Sequence, residues 1–263
     1  MQKLPTQKTE TNPAPVFTVI TAVFNAEAFV RQAAESVLAQ QFTDFEFFVI
    51  DDASTDKTPE ILAGLAARDD RMRVLRNFEN RGVAASRNRA LECARGRYLA
   101  FLDGDDFWYP DFLGEMLSFM ETGGFSFACA SHERVDENLN PLRKPFIVPE
   151  AITRKELLQT CSIPLLTTVL DRKALGPVRF PLLPVNNDYA LWLQLIRRAG
   201  TVHGNPKVLA VYRMRKGSVS SNKLRSMRYI WHIYRQQESA GFFRAAAMML
   251  VYTFNGFKKY YGP

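Results

Sequence analysis

Arg97-Tyr98-Leu99-Ala100-Phe101-Leu102-Asp103-Gly104-Asp105-Asp106 decides how the chain is read. The first six residues have the continuous apolar character of a buried strand. The last four place three carboxylates directly after its end. A strand end is where an open α/β sheet holds its ligand. Carboxylates this close repel one another unless a cation lies between them. One reading is therefore a divalent-metal site that holds a phosphate-bearing substrate. The other is a polar turn, with Gly104 allowing a tight bend and Asp106 capping the next helix.

The preceding chain bears on the choice. Val16-Phe17-Thr18-Val19-Ile20, Phe45-Glu46-Phe47-Phe48-Val49-Ile50 and Met72-Arg73-Val74-Leu75-Arg76 read as strands. Helical patterns fill 26–40, 57–68 and 83–94 between them, the first with an apolar stripe of Phe29, Val30, Ala33, Ala34, Val37 and Leu38. Strand and helix thus alternate four times, which predicts a doubly wound, mostly parallel α/β sheet with right-handed crossovers. Phe24/Asn25, Asp51/Asp52 and Asp103–Asp106 each follow a strand, so all three should open on one edge as a ligand crevice. Capping explains any one of these loops, but not three polar loops on one edge.

Beyond Pro110 the pattern predicts a helix over 111–121, a strand over 125–130 and an irregular stretch over 136–149 broken by three prolines. A short helix follows over 153–159, then an apolar segment over 167–170. A loop at 180–187 leads into an amphipathic helix over 189–199 with Trp192, Leu195 and Ile196 inward. A last strand covers 208–212, and helices over 223–238 and 242–260 finish the chain.

The 263 residues are 47% hydrophobic with 20 Phe, enough for a large core. No apolar run reaches the roughly 18 residues of a membrane span. Residues 1–15 read as a polar, flexible tail without the apolar core of a signal peptide, so a cytoplasmic location is expected. Three scattered cysteines fit reduced thiols, and no His/Cys zinc spacing occurs. The net charge of +7 is uneven. Residues 207–263 carry eleven Lys/Arg against the single acid Glu238, which leaves the other 206 residues at −3. That asymmetry suggests an anionic partner on one side: anionic lipid, a lipid diphosphate or nucleic acid. Nucleic acid is disfavoured, because the basic residues form no known module.

Taken together, these pieces resemble the inverting nucleotide-sugar glycosyltransferases of family 2, which have the GT-A fold. The matching residues are Val19–Glu27, Glu35–Gln40, Asp51–Asp56, Asn80–Ala84 with Arg87-Asn88, Gly96–Tyr98, Phe101–Asp106, Asn187–Trp192 and Tyr212-Arg213. The tail around 215–223 and 255–259 is similar to bacterial members that build envelope polysaccharides such as teichuronic acid. The resemblance implies a GT-A domain over 16–222 and an appended helical element over 223–263. It implies a UDP-sugar donor, Mn²⁺ or Mg²⁺ as cofactor, and a glycan or lipid-linked glycan acceptor at the inner membrane face.

The resemblance also implies roles. Asp103 and Asp105 form the DxD, with Asp105 on the metal, Asp103 on the ribose or the metal, and Asp106 as alternative ligand. Asp52 would accept the uracil N–H, and Phe24 would stack on the base unless it is core. Asn25 and Asn80 belong to the nucleotide loops, with Gly82 giving the second a positive φ. Arg87 would reach a phosphate or the DxD carboxylates, or else lie on a solvated face. Asp188 would be the catalytic base. Two positions depart from the pattern: Asn187 replaces the usual first acid, and Arg215 stands where many relatives carry a His. Arg215, with Lys216, could close over the pyrophosphate or face lipid headgroups. The basic, aromatic terminal helices read as an interfacial anchor, with packing on the body or in a homodimer as the competing reading. The competing functions are a nucleotidyltransferase, which would need a Gly-rich triphosphate loop that Thr21–Asn25 does not supply, and a non-catalytic sugar-nucleotide binder or membrane scaffold.

Overall fold

A computed structural model describes residues 13–215 and 223–261, with side chains to Gly256. Most of the expected tail (1–12), Lys216, and the Lys258 and Lys259 side chains lie outside the described residues.

The first half follows the expected alternation: β1 Phe17–Val23, α1 Val30–Leu38, β2 Phe45–Asp51, α2 Thr58–Ala66, β3 Met72–Arg76, α3 Val83–Cys93 and β4 Tyr98–Phe101. These strands pair in parallel in the order β3-β2-β1-β4, with Phe17 opposite both Phe45 and Tyr98. Their unbroken apolar runs reflect burial on both faces. Phe17, Val19, Phe47, Val49, Tyr98 and Ala100 pack against α1 and α2. Their alternates Ile20, Phe48, Ile50, Leu99 and Phe101 pack against α3 on the other face. Gly96 leads into β4 because a Cβ there would lie 2.4 Å from the backbone of Phe17 and Thr18.

The second half extends the sheet with both strand directions. It comprises β5 Phe107–Trp108, α4 Phe112–Gly123, β6 Phe127–Val135, β7 Ala151–Thr153, α5 Arg154–Gln159, β8 Val169–Asp171, α6 Arg172–Leu175, α7 Asn187–Ala199 and β9 Thr201–Arg213. The result is a mixed, mostly parallel nine-stranded sheet, ordered β3-β2-β1-β4-β8-β6-β9-β5 with β7 also on β9. Short β8 runs antiparallel to both neighbours and turns the parallel half into the mixed half.

Several boundaries differ from the sequence expectation. The first helix begins at Val30 rather than 26, because Asn25 is left-handed and Ala26–Phe29 forms a turn. The last strand starts at Thr201 rather than 208, crossing a bulge where its register with β6 shifts. The helix expected over 223–238 is α-helical only to His232 (α8, Lys223–His232). It continues as one π-helical turn, Ile233–Gln237, before α9, Phe242–Tyr261.

This C-terminal segment packs against the rest of the fold. Ile230, Ile233, Tyr234, Ala240 and Ala245 join the core beside α5 and α7. The Tyr234 hydroxyl donates to Leu158 O at 2.7 Å, and buried Glu238 receives both Arg154 and Arg197. Trp192 on α7 is fully buried between Phe127 and Phe180. Trp192→Ala is expected to cost about 3–5 kcal/mol of stability, read as a lowered urea midpoint. A midpoint near wild type would show that this side of the sheet does not carry the core.

Candidate active site

Three strand ends and the start of α7 carry the candidate residues, and side-chain contacts link β1 to β2 and β4 to α7. After β1, Asn25 adopts φ 48° and knits two loops together. Its N–H donates to Ser54 Oγ at 2.9 Å, and its Oδ1 accepts Thr55 N at 2.8 Å. Phe24 is 49% exposed, which removes the core-packing reading.

After β2, buried Asp52 accepts Asn77 Nδ2 at 2.6 Å, Arg81 N at 3.0 Å and Gly82 N at 2.8 Å. Its carboxylate therefore shapes the 77–82 loop, and a nucleobase N–H would be a fourth donor to a group with about four acceptor sites. Asn80 closes the same loop by accepting Gly82 N, where Gly82 has φ 82° and opens α3. Asp51 satisfies Ser54 N and pairs with Arg76.

After β4 each carboxylate has a different partner. Asp103 receives Arg87 Nη2. Asp105 receives Arg215 Nε at 2.6 Å. Asp106 is buried, with Oδ1 accepting Arg213 N at 2.8 Å and Oδ2 without a hydrogen-bond partner among the described residues. The helix-cap reading of Asp106 is thus corrected: α4 starts after Asp111, and Asp106 instead ties this turn to the end of β9. Burial raises the Asp105 carboxyl, and Asp103 raises it further, against the pull of Arg215. Burial raises Asp106 well above the usual range, with Asp105 and Asp103 adding to it. Two arginines only partly relieve this crowding.

Hard carboxylate oxygens suit Mg²⁺ or Mn²⁺, and the orphaned Asp106 Oδ2 is an acceptor in want of a cation. Among the described residues no group of three His, Cys, Asp or Glu is arranged to hold a metal. The residues thus fit part of a coordination shell, to be completed by ligand oxygens.

Arg87 links this turn to α7. It is 5% exposed, lies 5.1 Å over the Phe180 ring, and donates from Nη1 to Asn187 Oδ1 at 3.1 Å. The solvated-face reading is therefore ruled out. Asn187 carries this contact as a neutral acceptor. Asp188 follows in the first turn of α7, half-buried. Burial raises its carboxyl above the ordinary value, offset by the Tyr189 N–H and by the Arg87 charge.

Sequence reading missed Phe29. Placed in the α1 stripe, it instead lies 4.7 Å from the Arg213 guanidinium and 5.1 Å from that of Arg215. It also missed Gln32, whose Oε1 accepts Arg213 Nη2 at 2.6 Å. A lone aromatic and a lone amide in a helical pattern carry no signal for either contact.

The family model described as Glycosyl transferase family 2 matches residues 18–175. The chain is 36% identical over 249 residues to TuaG of Bacillus subtilis (strain 168), a glycosyltransferase assigned to teichuronic acid biosynthesis, covering 95% of this chain and 99% of that one. It is 35% identical over 216 residues to Escherichia coli WfgD, a UDP-Glc:alpha-D-GlcNAc-diphosphoundecaprenol beta-1,3-glucosyltransferase, covering 82% and 83%. Among solved structures, S. aureus TarS 1–349 in complex with UDP-GlcNAc superposes with TM-score 0.71 at 21% identity, over 92% of this chain and 72% of that one. The mannosyltransferase PcManGT of Pyrobaculum calidifontis, in complex with GDP-Man and Mn²⁺, gives 0.67 at 18%, over 92% and 70%. At these identities the two structures speak for the GT-A fold alone.

Proposed function

The chain belongs to glycosyl transferase family 2, and on that premise we propose that it transfers a sugar from a UDP-sugar, with inversion, to a lipid-linked glycan in envelope polysaccharide assembly. One observation carries the reading. Arg87 holds Asp103 of the carboxylate turn with one nitrogen and Asn187, the neighbour of Asp188, with the other. A group that grips a leaving diphosphate thereby sits beside one that can take a proton. The family match ends at residue 175, and the role of Asp188 rests on the resemblance over Asn187–Trp192 together with its place in the first turn of α7.

In this mechanism Phe24 stacks on the base, while Asn25, Asp52 and Asn80 fix the loops around it. The Asp188 carboxylate accepts the proton of the acceptor hydroxyl as that oxygen attacks the anomeric carbon. The bond from the anomeric carbon to the diphosphate breaks on the opposite face, and UDP leaves. Asp105 would hold Mn²⁺ or Mg²⁺, with Asp103 on the ribose or the metal and Asp106 as the alternative ligand, and the cation would supply Lewis-acid neutralisation of the charge growing on the diphosphate. Arg215 then pairs with the diphosphate through a planar fork suited to phosphate. A donor screen that follows UDP release with Mn²⁺ or Mg²⁺, with and without envelope lipid extract, tests the reading. Pyrophosphate release would indicate a nucleotidyltransferase, and metal-dependent UDP binding without turnover would indicate a non-catalytic binder.

The partial shell sets an expectation for metal binding. Calorimetry should find Mn²⁺ binding alone at least about tenfold weaker than Mn²⁺ binding with UDP, because the diphosphate supplies the missing oxygens. Tight binding of Mn²⁺ alone would contradict this assignment.

The acceptor reading extends to the C-terminus. Phe243, Leu250 and Phe254 are 87%, 74% and 72% exposed and share one face of α9. No helix among the described residues is long and apolar enough to cross a membrane. This face, on the part of the chain that carries +10, suits shallow docking on an anionic bilayer. Because Tyr234 and Ile230 belong to the core, point substitutions test this better than truncation. Replacing Phe243, Leu250 and Phe254 with Ser should lower co-sedimentation with anionic vesicles by about tenfold or more while UDP binding holds. Undiminished sedimentation, or loss of a homodimer instead, would move this face to another role.

A further inference from the structure

Asn186 sits at the N-cap of α7 with φ 56° and makes no side-chain cap bond. An N-cap asparagine ordinarily spends its oxygen on the free N–H groups of its own helix. Here the whole amide is directed at Ser226 on α8. Nδ2 donates to Ser226 O at 2.9 Å and lies 3.0 Å from Ser226 Oγ, and that hydroxyl donates to Asn186 Oδ1 at 3.1 Å.

This clasp is the first of a series of contacts. The Tyr189 and Tyr234 hydroxyls meet at 3.2 Å, Gln237 Nε2 donates to Ala190 O at 2.7 Å, and Arg197 pairs with Glu238 at 2.9 Å. Residues 226–238 thus grip α7 along its length. On the other side Asn187 is held by Arg87 and donates to Leu183 O. Asp188 follows two residues whose side chains are anchored in different parts of the fold.

We propose that Asn186 and Ser226 are a positioning pair: their clasp fixes the first turn of α7 so that the Asp188 carboxylate meets the acceptor hydroxyl. The inference rests on the reading of Asp188 as base. It gives the C-terminal segment a task in the chemistry, because α8 contacts the base helix at its reactive end and leads on to the exposed face of α9. A misplacement of one ångström at a reacting group can cost about 10²-fold.

The test uses the full-length protein with a UDP-sugar, Mn²⁺ and acceptor. Asn186→Gly keeps the left-handed backbone without strain while removing the amide. Ser226→Ala removes the hydroxyl from the other side, and Ser226→Thr retains it. Asn186→Gly and Ser226→Ala should each lower kcat by about 10–100-fold with donor KM and UDP affinity within about twofold. The double variant should be no worse than Asn186→Gly, because the amide takes part in every bond of the clasp while Ser226→Ala removes only those to the hydroxyl and leaves the one to Ser226 O. Ser226→Thr should recover most of the loss. A kcat within about twofold of wild type, multiplying losses in the double variant, or a parallel fall in UDP affinity would overturn the proposal. Asp188→Asn is the control. If it retains turnover, the reading of the base has failed; if it is inactive while Asn186→Gly and Ser226→Ala are normal, only the clasp has failed.

Discussion

Asp188→Asn should lower kcat by about 10²–10⁴-fold while UDP affinity and melting temperature stay close to wild type. The amide keeps the shape of the side chain but cannot accept the proton. Stability should hold because burial raises this carboxyl. A carboxyl raised in the fold contributes its stability at low pH and loses it as pH rises through the folded value. Ionising this side chain therefore costs stability, and Asn removes that cost. The same shift fixes the pH dependence. The base must be ionised, so the acidic limb of kcat/KM, which reports the free enzyme, should lie above the ordinary aspartate value of about 3.9. It should be absent from the residual activity of the variant. Turnover near wild type would dismiss Asp188 as the base.

Asp105→Asn should remove metal-stimulated turnover by a factor on the order of 10³, equivalent to several kcal/mol of lost charge stabilisation. Asp103 remains held by Arg87 and Asp106 by Arg213, so the turn keeps its anchors. Burial and Asp103 already raise Asp105, so removing its charge relieves repulsion and should not lower the melting temperature. Arg215 would lose its carboxylate partner and stay free for phosphate, so weak metal-independent UDP binding should survive. If metal still stimulates this variant fully, the ligand role passes to Asp106, whose buried Oδ2 has no hydrogen-bond partner among the described residues.

The parallel half of the sheet was legible because strands buried on both faces write unbroken apolar runs, as in 45–50 and 97–102. Their ends then fell on one edge by topology alone. The later strands were less legible. β5 and β7 have two and three residues, too few for any period, and β9 hides its first half behind Gly204, Asn205 and Pro206. At the site, spacing pointed to the carboxylate turn and the family resemblance to Asp188, but neither pointed to their partners. Asp106 binds a backbone N–H 107 residues away, and Arg87 meets Asn187 across 100 residues. The Asn186–Ser226 clasp is equally silent in sequence, because amides and hydroxyls at helix ends usually cap their own helix. The terminal helices showed an amphipathic pattern, which says that a face is covered but not by what. The structure divides them, with Tyr234 against α7 and Phe243 outward.

An inverting transfer from a UDP-sugar fixes the anomeric configuration of the product. With an α-linked UDP-sugar, Mn²⁺ and a lipid-linked acceptor, proton NMR should show a β-linked product formed in step with released UDP. An α-linked product, or release of pyrophosphate in place of UDP, would contradict it.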